Sequence, residues 1–179
     1  LNLPNPTEMY LNGEWTWSKF EQWSLNAKAA LSPKGAGYYV LGSQPVNYAK
    51  NMVYLNGGTL INFKTNRIGF HQTPALQTYD FLTGLYEKGL FETDGNYDSG
   101  SAEWKGGQVI FHPGDFWFLN ADNRWKGNDY KFGYVPFPVA DDYKGEYTAP
   151  KNGLAVYTIA AGLSAAKEDN SQETQELVC

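Results

Sequence analysis

Between Thr73 and Gly89, Leu76, Tyr79, Leu82, Leu85 and Tyr86 recur at helical spacing, so this stretch predicts an amphipathic helix. Thr73 offers an N-cap, Pro74 suits the first helical position, Gly89 suits a left-handed C′ residue, and Leu90 can pack back on the last turn. A second helix is expected over about residues 17–31, with Thr16 or Ser18 as cap and Glu21 completing a capping box after Ser18. It ends at Ser32-Pro33-Lys34-Gly35, and the residues before it, from Pro4, read as a loop. A third helix runs from about Pro45 to Asn56, closed by Gly57-Gly58, and a fourth opens at Pro113-Gly114-Asp115 and runs to about Trp125.

The strand signals are shorter. Tyr38 to Gly42 is an aromatic and β-branched run bounded by glycines, and Gln108 to His112 follows the Gly106-Gly107 turn; both read as strands. Lys131 to Pro136 and Leu154 to Ala160 supply two more, and the polar stretch from Lys167 to Glu176 reads as an exposed helix or frayed end. Strands alternating with helices imply an α/β layer architecture, with a central mixed sheet flanked by helices.

Composition narrows the function classes. The chain of 179 residues is 42% hydrophobic, enough for one core, and its net charge of −5 gives no general attraction to nucleic acid or anionic lipid. No apolar run is long enough to span a bilayer, and the start Leu1-Asn2-Leu3-Pro4-Asn5-Pro6 lacks the regions of a signal peptide. Cys179 is the only cysteine, which excludes an internal disulfide and a cysteine-based metal site. Aromatic residues make up 16% of the chain, and rings suit the C–H faces of sugars while Tyr and Trp keep a hydrogen-bonding tip. Most must still fill the core.

Several constellations are candidates for chemistry. Where the strand Val109–His112 meets Gly114-Asp115-Phe116-Trp117, backbone N–H groups and the carboxylate can meet hydroxyls while Phe116 and Trp117 offer a stacking face. Equally, Asp115 is an ordinary N-cap and one of the two aromatics is core. Glu14-Trp15-Thr16-Trp17 places two tryptophans at another loop-to-helix junction; Trp17 reads as a core anchor, and Trp15 as a cleft wall or a staple residue.

Asp94 to Gly100 alternates oxygen ligands as calcium loops do, but its glycine comes one place late and Lys105 stands where the bidentate Glu belongs, so a solvated loop is expected. His71 and His112 lack metal-ligand spacing, and neither a metal nor a cofactor is implied. Glu14, Asp80, Glu103 and Asp115 would be the carboxylates available to a glycan hydrolase.

In this order, the residues resemble the substrate-binding proteins of carbohydrate ABC importers, of the maltose and oligosaccharide type. Glu14 to Phe20 looks like the family's "WTWD-x-F" helix start, Val40-Leu41-Gly42 stands in place of its "YGLG" strand, and Tyr54 to Gly58 matches the "NGG" helix end. Trp104 to Phe111 looks like "F-x-x-G-K-A-A-M". Gly114-Asp115-Phe116-Trp117 stands where "G-x-W" is expected, with one residue more before the Trp, and Tyr130 to Pro138 resembles "G-x-x-P-x-P". The similarity covers about residues 5–162.

The resemblance implies a single lobe of a two-lobed periplasmic-binding-protein fold. Residues 1–162 would form the second lobe and 163–179 a return segment or exposed helical tail, with Asn5 and Gly162 on the same side. It implies a monomeric bacterial protein outside the cytoplasm, a lipoprotein held to the membrane by an anchor absent from this chain. Its partners would be a carbohydrate and the permease subunits of the importer, with no catalytic residue. Trp117 would stack on a sugar, with Phe116 as the alternative; Asp115, Gly114 and Trp15 complete the expected ligand-binding set. A glycan hydrolase and a stand-alone carbohydrate-recognition domain are the competing readings.

Overall fold

The computed structural model describes residues 1–92 and 100–148. The readings at 94–99, 154–160, 163–179 and Gly162 lie outside the described residues.

Asn5 accepts a hydrogen bond from the Thr7 amide at 2.9 Å and Pro6 starts a short helix, α1 (Pro6–Leu11), where a loop was expected. Helix α2 (Trp17–Leu31) follows, buries Phe20, Trp23, Ser24, Ala27 and Leu31, and tightens into a 3₁₀ turn at Ser32–Lys34. Strand β1 (Tyr39–Leu41), helix α3 (Pro45–Met52) and a 3₁₀ turn at Tyr54–Asn56 come next. The expected helix to Asn56 thus ends early, and a hairpin that the pattern did not predict, β2 (Ile61–Asn62) with β3 (Arg67–Ile68), precedes α4 (Thr73–Glu87). A further unpredicted helix, α5 (Ser101–Lys105), leads into β4 (Val109–Phe111).

Helix α4 is the element that the pattern described best. Its cap position falls on Gln72 rather than Thr73, and its C-terminal end is as expected: Gly89 has φ +64°, and the Leu90 amide reaches back to the Leu85 carbonyl at 3.2 Å. The buried stripe is Ala75, Thr78, Leu82 and Leu85, whereas Leu76 and Tyr86 of the predicted face are about half exposed.

Strands β1 and β4 pair in parallel, Tyr39 opposite Val109 and Leu41 opposite Phe111, and Phe91 bridges the other side of Leu41 in the same sense. The result is a small parallel sheet flanked by helices, and among the described residues the antiparallel pairing is confined to the β2–β3 hairpin. The main core gathers Trp15, Phe20, Trp23, Leu41, Met52, Leu85 and Phe91; a second cluster holds Trp104, Val109, Phe118 and Trp125.

Two expected elements are replaced. Residues 131–136 form no strand: Pro136 and Pro138 bring no N–H to a ladder, and pairing begins only at Val139, which bridges Thr16 in parallel. The helix expected from Asp115 to Trp125 is a 3₁₀ helix, Phe116–Asn120, followed by turns; Asp122, Asn123 and Gly127 are turn-forming residues.

The cap of α2 also differs. Thr16 holds the cap position without a side-chain bond to a helical amide, and Glu21 pairs with Lys88 at 2.6 Å instead of closing a capping box. The cap comes from Asp141, whose carboxylate accepts from the Ser18 amide at 3.2 Å and from the Ser18 hydroxyl at 2.6 Å. Burial pushes its pKa up, but the bonds from Ser18 and Thr16 outweigh it and leave the carboxyl below its ordinary range.

Asp141→Ala should therefore cost about 0.5–1 kcal/mol by urea unfolding at neutral pH, towards the low end for a cap because the carboxylate is exposed. A depressed pKa stabilises above the unfolded value of about 3.9 and is lost as pH falls through the folded value. The gap between wild type and variant should thus close below about pH 4.

Candidate ligand-binding site

At the carboxyl end of β4 the chain turns outward through His112-Pro113-Gly114, and a cleft of about 150 Å³ opens between this turn and the segment 132–138. Ligands of α/β sheets sit at this end of the strands. Trp15, Phe20, Tyr48 and Phe111 form the floor, and Trp104, Trp125, Phe132 and Tyr134 belong to the walls. Among the described residues, the lining contains no Asp or Glu. Tyr48 is fully buried, donates its hydroxyl to the Gly42 carbonyl at 3.0 Å and has its pKa driven up by burial.

Gly114 is fixed by contact. A Cβ there would stand 2.2 Å from Cη2 of Trp125, whose indole N–H donates to the Ser101 hydroxyl at 3.1 Å. Trp125 also packs on Trp104 at 4.3 Å, Phe118 at 4.9 Å and His112 at 5.4 Å between ring centroids.

Outside the cleft mouth the rings continue. Phe116 lies 5.1 Å from Tyr134, Tyr134 lies 6.0 Å from Phe132, and Phe132 lies 5.3 Å from Trp104. Phe116, Phe132 and Tyr134 are 75%, 41% and 49% exposed, so an aromatic path runs from solvent into the cleft. Tyr130 borders it, donating its hydroxyl to the Trp104 carbonyl; partial burial raises its pKa against a hydrogen bond with the Asn128 side chain.

Neither a family model nor a curated protein sequence matches the chain. Among solved structures, the GacH receptor of Streptomyces glaucescens, solved without ligand and with acarbose and an acarbose homolog, is similar in fold. The TM-score is 0.52 at 16% identity, over 73% of this chain and 34% of the receptor. The fold is that of one lobe of a periplasmic binding protein. The chain spans about a third of the length of that neighbour.

Of the five residues expected to bind ligand, the lobe brings Gly114 and Trp15 to the cleft lining. Trp15 is 2% exposed and donates its N–H to the Pro136 carbonyl at 2.8 Å, so it is a core residue that forms part of the floor. Of the two tryptophans Trp15, whose role was open, is the fully buried one, whereas Trp17, expected as the core anchor, is only partly buried at the edge of the core and stacks on Phe81 at 4.7 Å. Phe116 joins the aromatic path through Tyr134. Trp117, half exposed, stands off the cleft with its indole N–H on Asp115 Oδ2 at 3.2 Å and the Arg124 guanidinium 5.8 Å from its ring. Asp115 occupies the cap position of the 3₁₀ helix, its side chain bonding no helical amide, and the core aromatic of the segment is Phe118, not Phe116 or Trp117.

Trp104, Trp125, Phe132 and Tyr134 line the cleft and were not among the residues expected to bind ligand. The alternation Tyr130-Lys131-Phe132-Gly133-Tyr134 carried the signal for part of this set, because an extended chain puts every second side chain on one side. Among the described residues no cluster of His, Cys, Asp and Glu fits a metal ion, and no helix is long and apolar enough to cross a membrane.

Proposed function

We propose that this chain is the second lobe of a bacterial solute-binding protein that captures a sugar or oligosaccharide outside the cytoplasm and delivers it to an ABC-type importer without chemistry. The observation that carries the reading is the path of rings from Phe116 through Tyr134 and Phe132 to Trp104, leading into a cleft at the carboxyl end of the parallel sheet. Such rings cover the apolar faces of sugars, and Gly114, Gly133 and Val135 bring backbone groups to the lining of the same cleft as hydroxyl partners. The likeness of fold to a sugar receptor supports the reading. The other lobe would supply the rest of the contacts, and closure about the hinge would present the loaded protein to the permease.

The test is calorimetric titration of the full-length protein with oligosaccharides found by a thermal-shift screen. Tyr134→Ala or Phe132→Ala should weaken binding about tenfold, the equivalent of one lost ring contact of about 1.4 kcal/mol. Trp117→Ala should cost less, since its ring stands off the cleft. Equal affinity in all variants would remove the aromatic path from the site, and shortened oligosaccharides after prolonged incubation would favour a hydrolase.

A further inference from the structure

From Gln22 to Tyr79 the chain carries five Lys or Arg and no Asp or Glu, although the whole has a net charge of −5. The β2–β3 hairpin lies in this acid-free stretch. Ile61 and Ile68 stand opposite one another across its ladder and so share a face, each about half exposed. Phe63, at the turn, is 83% exposed, the highest value among the described large hydrophobic residues, and Phe70, just after β3, is 50% exposed. Four large apolar side chains held in water on one hairpin and the residues just after it mark an interaction surface rather than scattered exposure.

The charged residues of the hairpin, Lys64 and Arg67, are both basic. Lys64 is exposed in the turn, where Asn62 Oδ1 accepts from the amides of Lys64 and Thr65 at 3.0 and 3.2 Å, so the basic side chain and Phe63 are presented together. Beside β3 lies a shallow hollow of about 310 Å³ lined by Asn66, Arg67, Ile68, His71 and Gln72. Its polar lining offers a guanidinium, two amides and an imidazole, and no carboxylate.

We propose that this hairpin docks on an anionic lipid surface, with Phe63, Ile61 and Ile68 entering the interface and Lys64 and Arg67 meeting headgroup phosphates. Apolar side chains flanked by Lys and Arg are the combination that such an interface rewards. Within the hairpin itself the charged side chains are Lys64 and Arg67, so its local charge is attracted although the whole chain is acidic. A bilayer also accepts a projecting turn without the matched groove that a protein partner would need.

The test is cosedimentation of the protein with vesicles of phosphatidylcholine alone or of phosphatidylcholine with phosphatidylglycerol, at low salt. The wild type should bind the anionic vesicles, with binding lost at high salt and on the neutral ones. Phe63→Ser and Arg67→Glu should each lower the bound fraction severalfold while circular dichroism stays unchanged, since both side chains are exposed. Absence of binding by the wild type, or equal binding by both variants, would overturn the proposal. So would an oligomer that Phe63→Ser converts to monomer, because a second copy would then own the face. None of these outcomes bears on sugar binding.

Discussion

Trp125→Ala should lower the unfolding free energy by about 3–5 kcal/mol, a large share of the roughly 5–15 kcal/mol that holds a domain of this size. The indole is 4% exposed and touches Trp104, Phe118 and His112, so its removal leaves a cavity walled by rigid rings that cannot collapse into it. It also leaves the buried Ser101 hydroxyl without its donor. Because Gly114 lies against the same ring, the turn after β4 loses its support, and the cleft wall should loosen along with the fold. Urea unfolding followed by far-ultraviolet circular dichroism measures the loss. A cost under about 1 kcal/mol would mean that this cluster is not the second core that its burial describes. Gly114→Ala approaches the contact from the other side: its new methyl cannot fit unless Trp125 moves, so it should destabilise in the same direction.

What was legible in the sequence was what local chemistry decides. Helix α4 carried its proline, its periodic apolar residues and its terminal glycine within one stretch, and β1 and β4 stood out because they are buried and bounded by glycines. The β2–β3 hairpin escaped because its turn lacks an Asn-Gly or Asp-Gly pair and its strands have two residues each. The cap of α2 could not be found locally at all, since Asp141 reaches Ser18 across 123 positions of sequence.

For the candidate site, the motif at Gly114-Asp115-Phe116-Trp117 lies at the turn that borders the cleft, but of its four residues only Gly114 lines it. Which ring faces solvent depends on how the segment winds, and a 3₁₀ helix turns Phe118 inward and Phe116 and Trp117 outward, where an α-helix continuing to Trp125 was expected. The ring partner of Phe116 is Tyr134, and nothing local in either segment announces the pairing. The tryptophans of the α2 start show the same limit. Both are aromatic at a loop-to-helix junction, and only the approach of Pro136 and Val139 makes Trp15 the buried one.

That burial sets up the second large effect. Trp15→Ala should cost about 3–5 kcal/mol, because the ring is packed edge-on against Phe20 at 5.3 Å and beside Phe111 at 6.0 Å, and its N–H anchors the Pro136 carbonyl of the opposite cleft wall. Trp15→Phe separates the parts: it keeps most of the apolar fill, removes the donor and should cost about 1–2 kcal/mol for the orphaned carbonyl. Urea unfolding gives these values, and calorimetric titration with the same oligosaccharide, below the melting point of each variant, gives affinity. As a floor residue whose polar atom is already spent, Trp15 should affect stability far more than affinity. If Trp15→Phe kept wild-type stability and lost sugar binding, the N–H would belong to the ligand, and the loop 134–138 would have to move away from it on binding.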